Sequence, residues 1–209
     1  MSMKLLALAF AGGIVAAAGV WTFFPEEPEQ RSAAALMDAV MWNKEPVGGP
    51  FVLIDHNGNR RTDKDFRGKL LLVYFGFSYC TDVCPTDLQS VAAAIDKLGP
   101  DGEKVQPLFI SVDPEKDTPE QLQGYVALFH PRLIGLTGTP RQVRKAALAY
   151  KVYVANNVAA AGTTGAIDHS GFVYLVGPNG DYLDFFPPGT PADRMVAVLR
   201  PRLVAFAPQ

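Results

Sequence analysis

Residues 70–77 read Leu-Leu-Leu-Val-Tyr-Phe-Gly-Phe, a run with no charge and no polar alternation. A strand with one face in water alternates apolar and polar residues. An unbroken apolar strand is covered on both faces, and helices packed above and below a sheet supply that cover. Val105 to Val112 is a second, largely apolar run of the same kind. Two such strands point to the α/β class.

Helix signals follow them. Leu88, Val91, Ala92, Ile95 and Leu98 recur at helical spacing. Thr118-Pro119-Glu120-Gln121 supplies an N-cap, a proline for the first turn and a glutamine to close a capping box. Thr139-Pro140 and Thr190-Pro191 repeat the Thr-Pro start for two more helices. Phe51 to Asp55 and the stretch after Asn57-Gly58 read as a hairpin, as do Phe172 to Val176 and Asp181 to Phe186 around Pro178-Asn179-Gly180. The expected architecture is an α/β, thioredoxin-like sandwich with a mixed central β-sheet.

The N-terminus carries a different signal. Leu5 to Phe24 is 20 residues without a charge. As a helix that length rises about 30 Å, the thickness of a bilayer's hydrocarbon core. Lys4 precedes the run, Glu26, Glu27 and Glu29 follow it, and Trp21, Phe23 and Phe24 form an aromatic belt at one end. The positive-inside rule then divides the chain into a cytoplasmic 1–4, a transmembrane anchor (or uncleaved signal) over 5–24, a tether over 25–47 and a folded domain over 48–209. A short helix is expected over Ser32 to Trp42 within the tether. The competing reading is a cleaved signal peptide, for which Ala16-Ala17-Ala18 offers small residues, but the run is longer than a usual signal core. The expected location is a bacterial inner membrane, single-pass, with the domain facing the periplasm, where two nearby thiols need not stay reduced. A net charge of −2 leaves no basic excess to hold nucleic acid.

Cys80-Thr81-Asp82-Val83-Cys84-Pro85 follows the first buried strand and opens a helix, at the carboxyl strand end where α/β folds place sites. Three intervening residues put the sulfurs about one helical turn apart, which permits a disulfide and equally permits both to hold one metal ion. A purely structural disulfide across so short a loop stabilises by only about 2 kcal/mol. Cys84 near the helix N-cap is expected to have a lowered thiol pKa, because the amides and dipole there favour a thiolate. Three histidines are available as further ligands. His56 lies in a turn, His130 is placed to cap the end of the helix opened by Pro119, and His169 stands at the start of the strand Phe172 to Val176. By position alone a structural role is the commoner one for such a histidine. Two soft sulfurs and an imidazole suit copper in either oxidation state, and also zinc. Structural zinc wants four protein ligands, and no fourth Cys or His is apparent. A blue-copper site wants two histidines with one cysteine, and the two cysteines of the chain are too few for a ferredoxin cluster.

Phe75-Gly76-Phe77-Ser78-Tyr79-Cys80-Thr81-Asp82-Val83-Cys84-Pro85 resembles the Sco/SenC family of cytochrome oxidase assembly proteins, whose pattern is close to YFGFTxCPDxCP. Ser111-Val112-Asp113-Pro114-Glu115-Lys116-Asp117-Thr118-Pro119, Gly135-Leu136-Thr137-Gly138-Thr139 and Asp168-His169-Ser170 extend the resemblance, in order, from about Gly48 to Leu203. Thr81 stands where the family usually has Pro, and Lys116 where it usually has Arg. Neither change removes a ligand. The resemblance implies that Cys80, Cys84 and His169 bind one copper ion, Cu(I) or Cu(II), and that the loop carrying His169 lies beside the cysteine loop, with Asp168 as a candidate support for the imidazole. It implies partners too: the copper-site subunit of a respiratory oxidase, an upstream copper donor and a thiol reductant.

The expected function is that of a copper metallochaperone that delivers its ion to a respiratory cytochrome oxidase during assembly, rather than an enzyme. The alternative is a thiol–disulfide oxidoreductase that maintains the reduced cysteines of the oxidase copper site. The two differ at His169, which delivery needs and dithiol exchange does not. The three-residue spacing, and the lack of a proline beside His169, favour copper. A third reading is a redox or copper sensor. Elsewhere, Asp113 to Asp117 is expected to be a strand-to-helix loop in which Asp117 and Thr118 compete to cap, and Phe185-Phe186-Pro187-Pro188 a lid on the core. Asp82 is expected to tune the cysteines or contact a partner, or else simply to stabilise the helix start. The full chain is predicted to stay in the membrane fraction through an alkaline wash; recovery of a soluble species with a new N-terminus near Gly19 would establish cleavage.

Overall fold

The computed structural model describes residues 46–81, 83–156 and 167–205. The expected anchor, the tether up to Glu45, the helix over 32–42 and Asp82 lie outside the described residues. Among the described residues no helix is long and apolar enough to cross a membrane.

The elements run in chain order as β1 (Val52–Asp55), β2 (Arg60–Thr62), β3 (Leu70–Gly76), α1 (Val83–Leu98), β4 (Val105–Ser111), α2 (Pro119–Val126), β5 (Ile134–Thr137), α3 (Pro140–Ala149), β6 (Val154–Asn156), β7 (Ile167–His169), β8 (Val173–Val176), β9 (Tyr182–Phe186) and α4 (Ala192–Ala205). Seven strands form one sheet in the order β2-β1-β5-β4-β3-β8-β9, and β6 and β7 form a separate two-stranded ribbon. Strands β3, β4 and β5 are parallel, while the β1 and β8–β9 pairings are antiparallel, so the sheet is mixed, as expected.

All seven residues of β3 are buried. Leu70, Leu72 and Tyr74 face the layer built from α1, α2 and α4, meeting Leu88, Ile95, Leu122 and Leu199. Leu71, Val73 and Phe75 face the opposite layer, meeting Val143 and Ala146 of α3. The period of two along a strand produces this division directly. Leu70 pairs with Val105 and Gly76 with Ser111, so β3 and β4 end level and their chains leave the sheet side by side.

Three short strands went unpredicted. Strand β5 contains Gly135, where a Cβ would stand 3.0 Å from Val126 Cγ1 and 3.2 Å from Leu122 Cβ. The glycine lets α2 pack closely, at the expense of a readable strand signal. Strands β6 and β7 have three residues each, too few to show a period.

The three Thr-Pro starts differ. At α3 the capping box closes: Gln142 N–H donates to Thr139 Oγ1 (3.3 Å) and Thr139 N–H to Gln142 Oε1 (2.8 Å). At α2 only half forms; Thr118 Oγ1 accepts from Gln121 N–H, but the Gln121 amide turns to Ser78 Oγ. The third helix starts at Ala192, and the Thr190 hydroxyl donates to Pro187 O (2.6 Å). Thr139→Ala is therefore expected to lower stability by about 1 kcal/mol. Thr190→Ala should stay within about 0.5 kcal/mol of the parent. Urea midpoints of the two variants check this, and equal losses would contradict the difference in capping.

Candidate metal centre

Beyond Gly76 the chain turns through Phe77–Thr81 and enters α1. The helix includes Val83, so Cys84 lies inside its first turn, and its side chain is 0% exposed. Gly76 makes the room: a Cβ there would stand 3.1 Å from Cys84 Sγ and 3.0 Å from the rings of Phe109 and Tyr74. Cys80 is half-buried, and its thiol lies within hydrogen-bond reach of Cys84. Both cysteines are free.

His169 does not stand at the start of the long apolar strand. It ends β7, opposite Val154 of the separate ribbon. Ser170 fixes this point, donating its N–H to Tyr153 O (3.2 Å) and accepting Tyr153 N–H on its hydroxyl (3.0 Å). The imidazole Nε2 comes within 3.4 Å of Cys84 Sγ, and Nδ1 lies 3.3 Å from Ser170 O. A carbonyl only accepts, so a proton on Nδ1 satisfies it and leaves the Nε2 lone pair facing the sulfur. The rings of Tyr74 and Phe77 meet the imidazole edge-on, with centroids at 6.2 and 5.6 Å. Among the described residues no three His, Cys, Asp or Glu side chains are already drawn into a metal cage. The direct contact is Cys84–His169, with the Cys80 thiol alongside.

The expected lowering of the Cys84 pKa is overturned. Burial foremost, with the adjacent Cys80 adding to it, pushes the thiol up to about 12. Placement inside the first turn removes the sulfur from water, and desolvation opposes the thiolate more than the helix start favours it. Behind the sulfur, the Tyr74 hydroxyl is buried without a hydrogen bond of normal geometry. Asp87 is 1% exposed and accepts Gly189 N–H (2.7 Å); burial pushes its carboxyl up and that hydrogen bond opposes the rise.

Sequence reasoning missed Asp87, although a carboxylate three residues after Cys84, beside Leu88, was a readable break in an apolar stripe. It also missed Gly76 as the space for sulfur. Asp117 does not compete to cap α2: it is 0% exposed and accepts hydrogen bonds from Ser78 and Ser111. Asp113 accepts the Tyr79 hydroxyl, and Lys116 stands 4.3 Å over the Tyr79 ring. His56 accepts Gly135 N–H on Nδ1 (3.0 Å), tying β1 to β5. His130 accepts Arg132 N–H (3.1 Å) instead of capping carbonyls, and pairs with Asp96 at 3.4 Å. Both are remote in role from the cysteines. Phe186 is buried and Phe185 packs on Phe172, as a lid on the core. The Asp168 side chain lies outside the described residues.

In the reduced, metal-free chain a small alkylating agent is expected to modify Cys80 first and to leave Cys84 protected at pH 8. The folded pKa of Cys84 exceeds its unfolded value. Its proton therefore stabilises the fold fully below the ordinary value of 9.0, and that contribution is lost as pH rises toward about 12. Peptide mapping after alkylation between pH 7 and 11 checks the order; equal labelling of both cysteines at pH 8 in the folded chain contradicts it.

Residues 40–203, which hold both cysteines and the histidine, match the family described as SCO1/SenC. The human protein named "SCO1 homolog, mitochondrial" is 40% identical over 89% of the chain, and zebrafish (Danio rerio) "SCO2 homolog, mitochondrial" 39% identical over 87%. The chain spans 62% and 64% of those two proteins. Among solved structures, Arabidopsis thaliana ScoI with copper bound superposes with a TM-score of 0.71 at 39% identity, covering 76% of this chain and 99% of that one. Bradyrhizobium japonicum ScoI with copper bound gives 0.69 at 37% identity, covering 75% and 99%. Motif, fold and the approach of a distant histidine to a buried cysteine thus coincide with a match over most of the sequence, and the chain belongs to the SCO1/SenC family.

Proposed function

We propose that the domain binds one copper ion, Cu(I) or Cu(II), through Cys80, Cys84 and His169, and delivers it to the copper centre of a respiratory cytochrome oxidase during assembly. One observation carries the reading: Cys84 Sγ and His169 Nε2, 85 positions apart in sequence, stand 3.4 Å apart in space. With zinc's bond lengths as a guide, two ligands of one first-row ion, one sulfur and one nitrogen, sit about 3.5 Å apart. Sulfur with imidazole is the donor set soft copper prefers. The similarity to Sco proteins solved with copper bound supports the same reading.

Three ligands leave an ion open to attack. Cys80, the half-buried sulfur, is the ligand an acceptor reaches first, so the ion moves by exchange onto the acceptor's thiolates and imidazoles without being released to water. The copper-site subunit of the oxidase is the proposed acceptor, with an upstream donor to supply the ion and a reductant to keep the thiols free. Leu5 to Phe24 would hold the chain in a bacterial inner membrane, with the domain in the periplasm. A second reading, reduction of the oxidase's cysteines by the Cys80/Cys84 pair, is favoured by the nearness of those two thiols. It leaves the placement of His169 without a use.

The reduced chain is expected to take up one copper, with intense sulfur-to-copper charge transfer in the Cu(II) form. Alanine at Cys80, Cys84 or His169 should each cripple uptake, and His56→Ala should not. Uptake displaces a proton from each of the two ligating thiols, so apparent affinity should rise with pH, by up to about a hundredfold per unit through neutral pH. An unchanged spectrum and affinity in His169→Ala would falsify the ligand set. In cells lacking the protein, full rescue of oxidase assembly by His169→Ala would move the assignment to the dithiol reductant.

A further inference from the structure

Asp117 is a carboxylate with 0% exposure, and its hydrogen-bond donors among the described residues are hydroxyls and an amide rather than cations. Ser78 donates both its N–H (3.1 Å) and its hydroxyl (2.6 Å), and Ser111 donates its hydroxyl (2.6 Å). A buried carboxylate opposed only by neutral dipoles is costly to keep. What it joins is specific. Ser111 is the last residue of β4, and Ser78 lies two residues before Cys80. Asp117 therefore ties the rigid end of a central strand to the loop that presents the exposed sulfur.

The neighbouring contacts act on the same loop. Tyr79 is held by Asp113 through its hydroxyl and lies under the Lys116 ammonium. Asp117 N–H donates to Asp113 O (2.9 Å), and Asp113 N–H to Ser111 Oγ (3.0 Å), so the holding segment is itself braced. Phe77 meets the His169 ring on the other side. Residues 77–79 are thus gripped one by one, and Cys80 is the first to follow the grip.

We propose that Asp117, through Ser78, is a positioning residue that sets where Cys80 stands relative to Cys84 and His169, and so sets both the copper affinity of the site and the ease with which its two thiols join. The copper half rests on the reading of the preceding section; the thiol half does not. Asp117 touches neither sulfur and is not a ligand.

The test uses the full chain in mild detergent, with Ser78→Ala, Asp117→Asn, Ser111→Ala and Thr139→Ala. Three quantities are read: copper affinity by chelator competition, the alkylation rate of Cys80, and the dithiol–disulfide equilibrium in glutathione buffers. In that equilibrium each disulfide formed consumes one oxidised glutathione and releases two reduced. Ser78→Ala and Asp117→Asn should each weaken copper binding by roughly ten- to a hundredfold and move the disulfide equilibrium and the alkylation rate with it. Ser111→Ala removes the scaffold end of the same tie and should move copper affinity and the dithiol equilibrium in the same direction as Ser78→Ala. Thr139→Ala, which removes the hydroxyl that caps α3, should lower the melting temperature and leave both near the parent's. Parent-like copper affinity and equilibrium in Ser78→Ala, whatever its stability, would show that Asp117 only braces the fold. If Asp117→Asn does not fold, Ser78→Ala decides alone. If the parent takes up no copper, the reading of the preceding section falls, and the dithiol equilibrium and alkylation rate still decide this one.

Discussion

Strand β3 has no face left for function. Its side chains are committed to two cores, so the strand is a fixed rod whose usable part is the chain leaving its carboxyl end. Both cysteines of the candidate centre take their position from that rod, while His169 is brought in by the separate ribbon. Gly76 ends it and clears a space for sulfur, Phe77 begins the loop, and α1 carries Cys84 back against Tyr74 of the same strand. Strand β4 ends level with it at Ser111, which brings the Asp113–Asp117 segment alongside the cysteine loop.

Within that frame two effects compete at Cys84. Holding the thiol at about 12 against an ordinary 9.0 amounts to about 4 kcal/mol disfavouring the thiolate. A helix N-terminus offers a negative charge about 0.3–1 kcal/mol at the surface and about 2 at best. Burial wins by magnitude. Cys84 is therefore kept as a neutral thiol, and on the proposed reading a bound cation would supply the charge that the helix start cannot.

The sequence was most legible where a period or a spacing carried the information. The two-sided burial of Leu70 to Gly76, the helix through Leu88 and Ile95, both hairpins and the Cys80–Cys84 pair could be read directly, because each is local. His169 was named through resemblance, and its setting was misread, since a three-residue ribbon shows no period. Asp117 illustrates the deeper limit. In sequence it is one more acidic residue before a helix; in space it answers Ser78, 39 positions away. Nothing local distinguishes a capping aspartate from a buried one, because the difference lies in which partners the fold delivers.

The Cys84–His169 contact joins parts of the chain 85 residues apart. Contacts of that range are the slow ones to close, since the loop entropy is lost before the contact repays it. A chain still emerging, or one partly unravelled, thus presents two neighbouring thiols without their imidazole. On the proposed reading, an ion held by all three donors is held by the native state alone and raises the population of that state by mass action. Cargo capture then doubles as a proofreading step, in which the immature chain is passed over because its last ligand has not yet arrived.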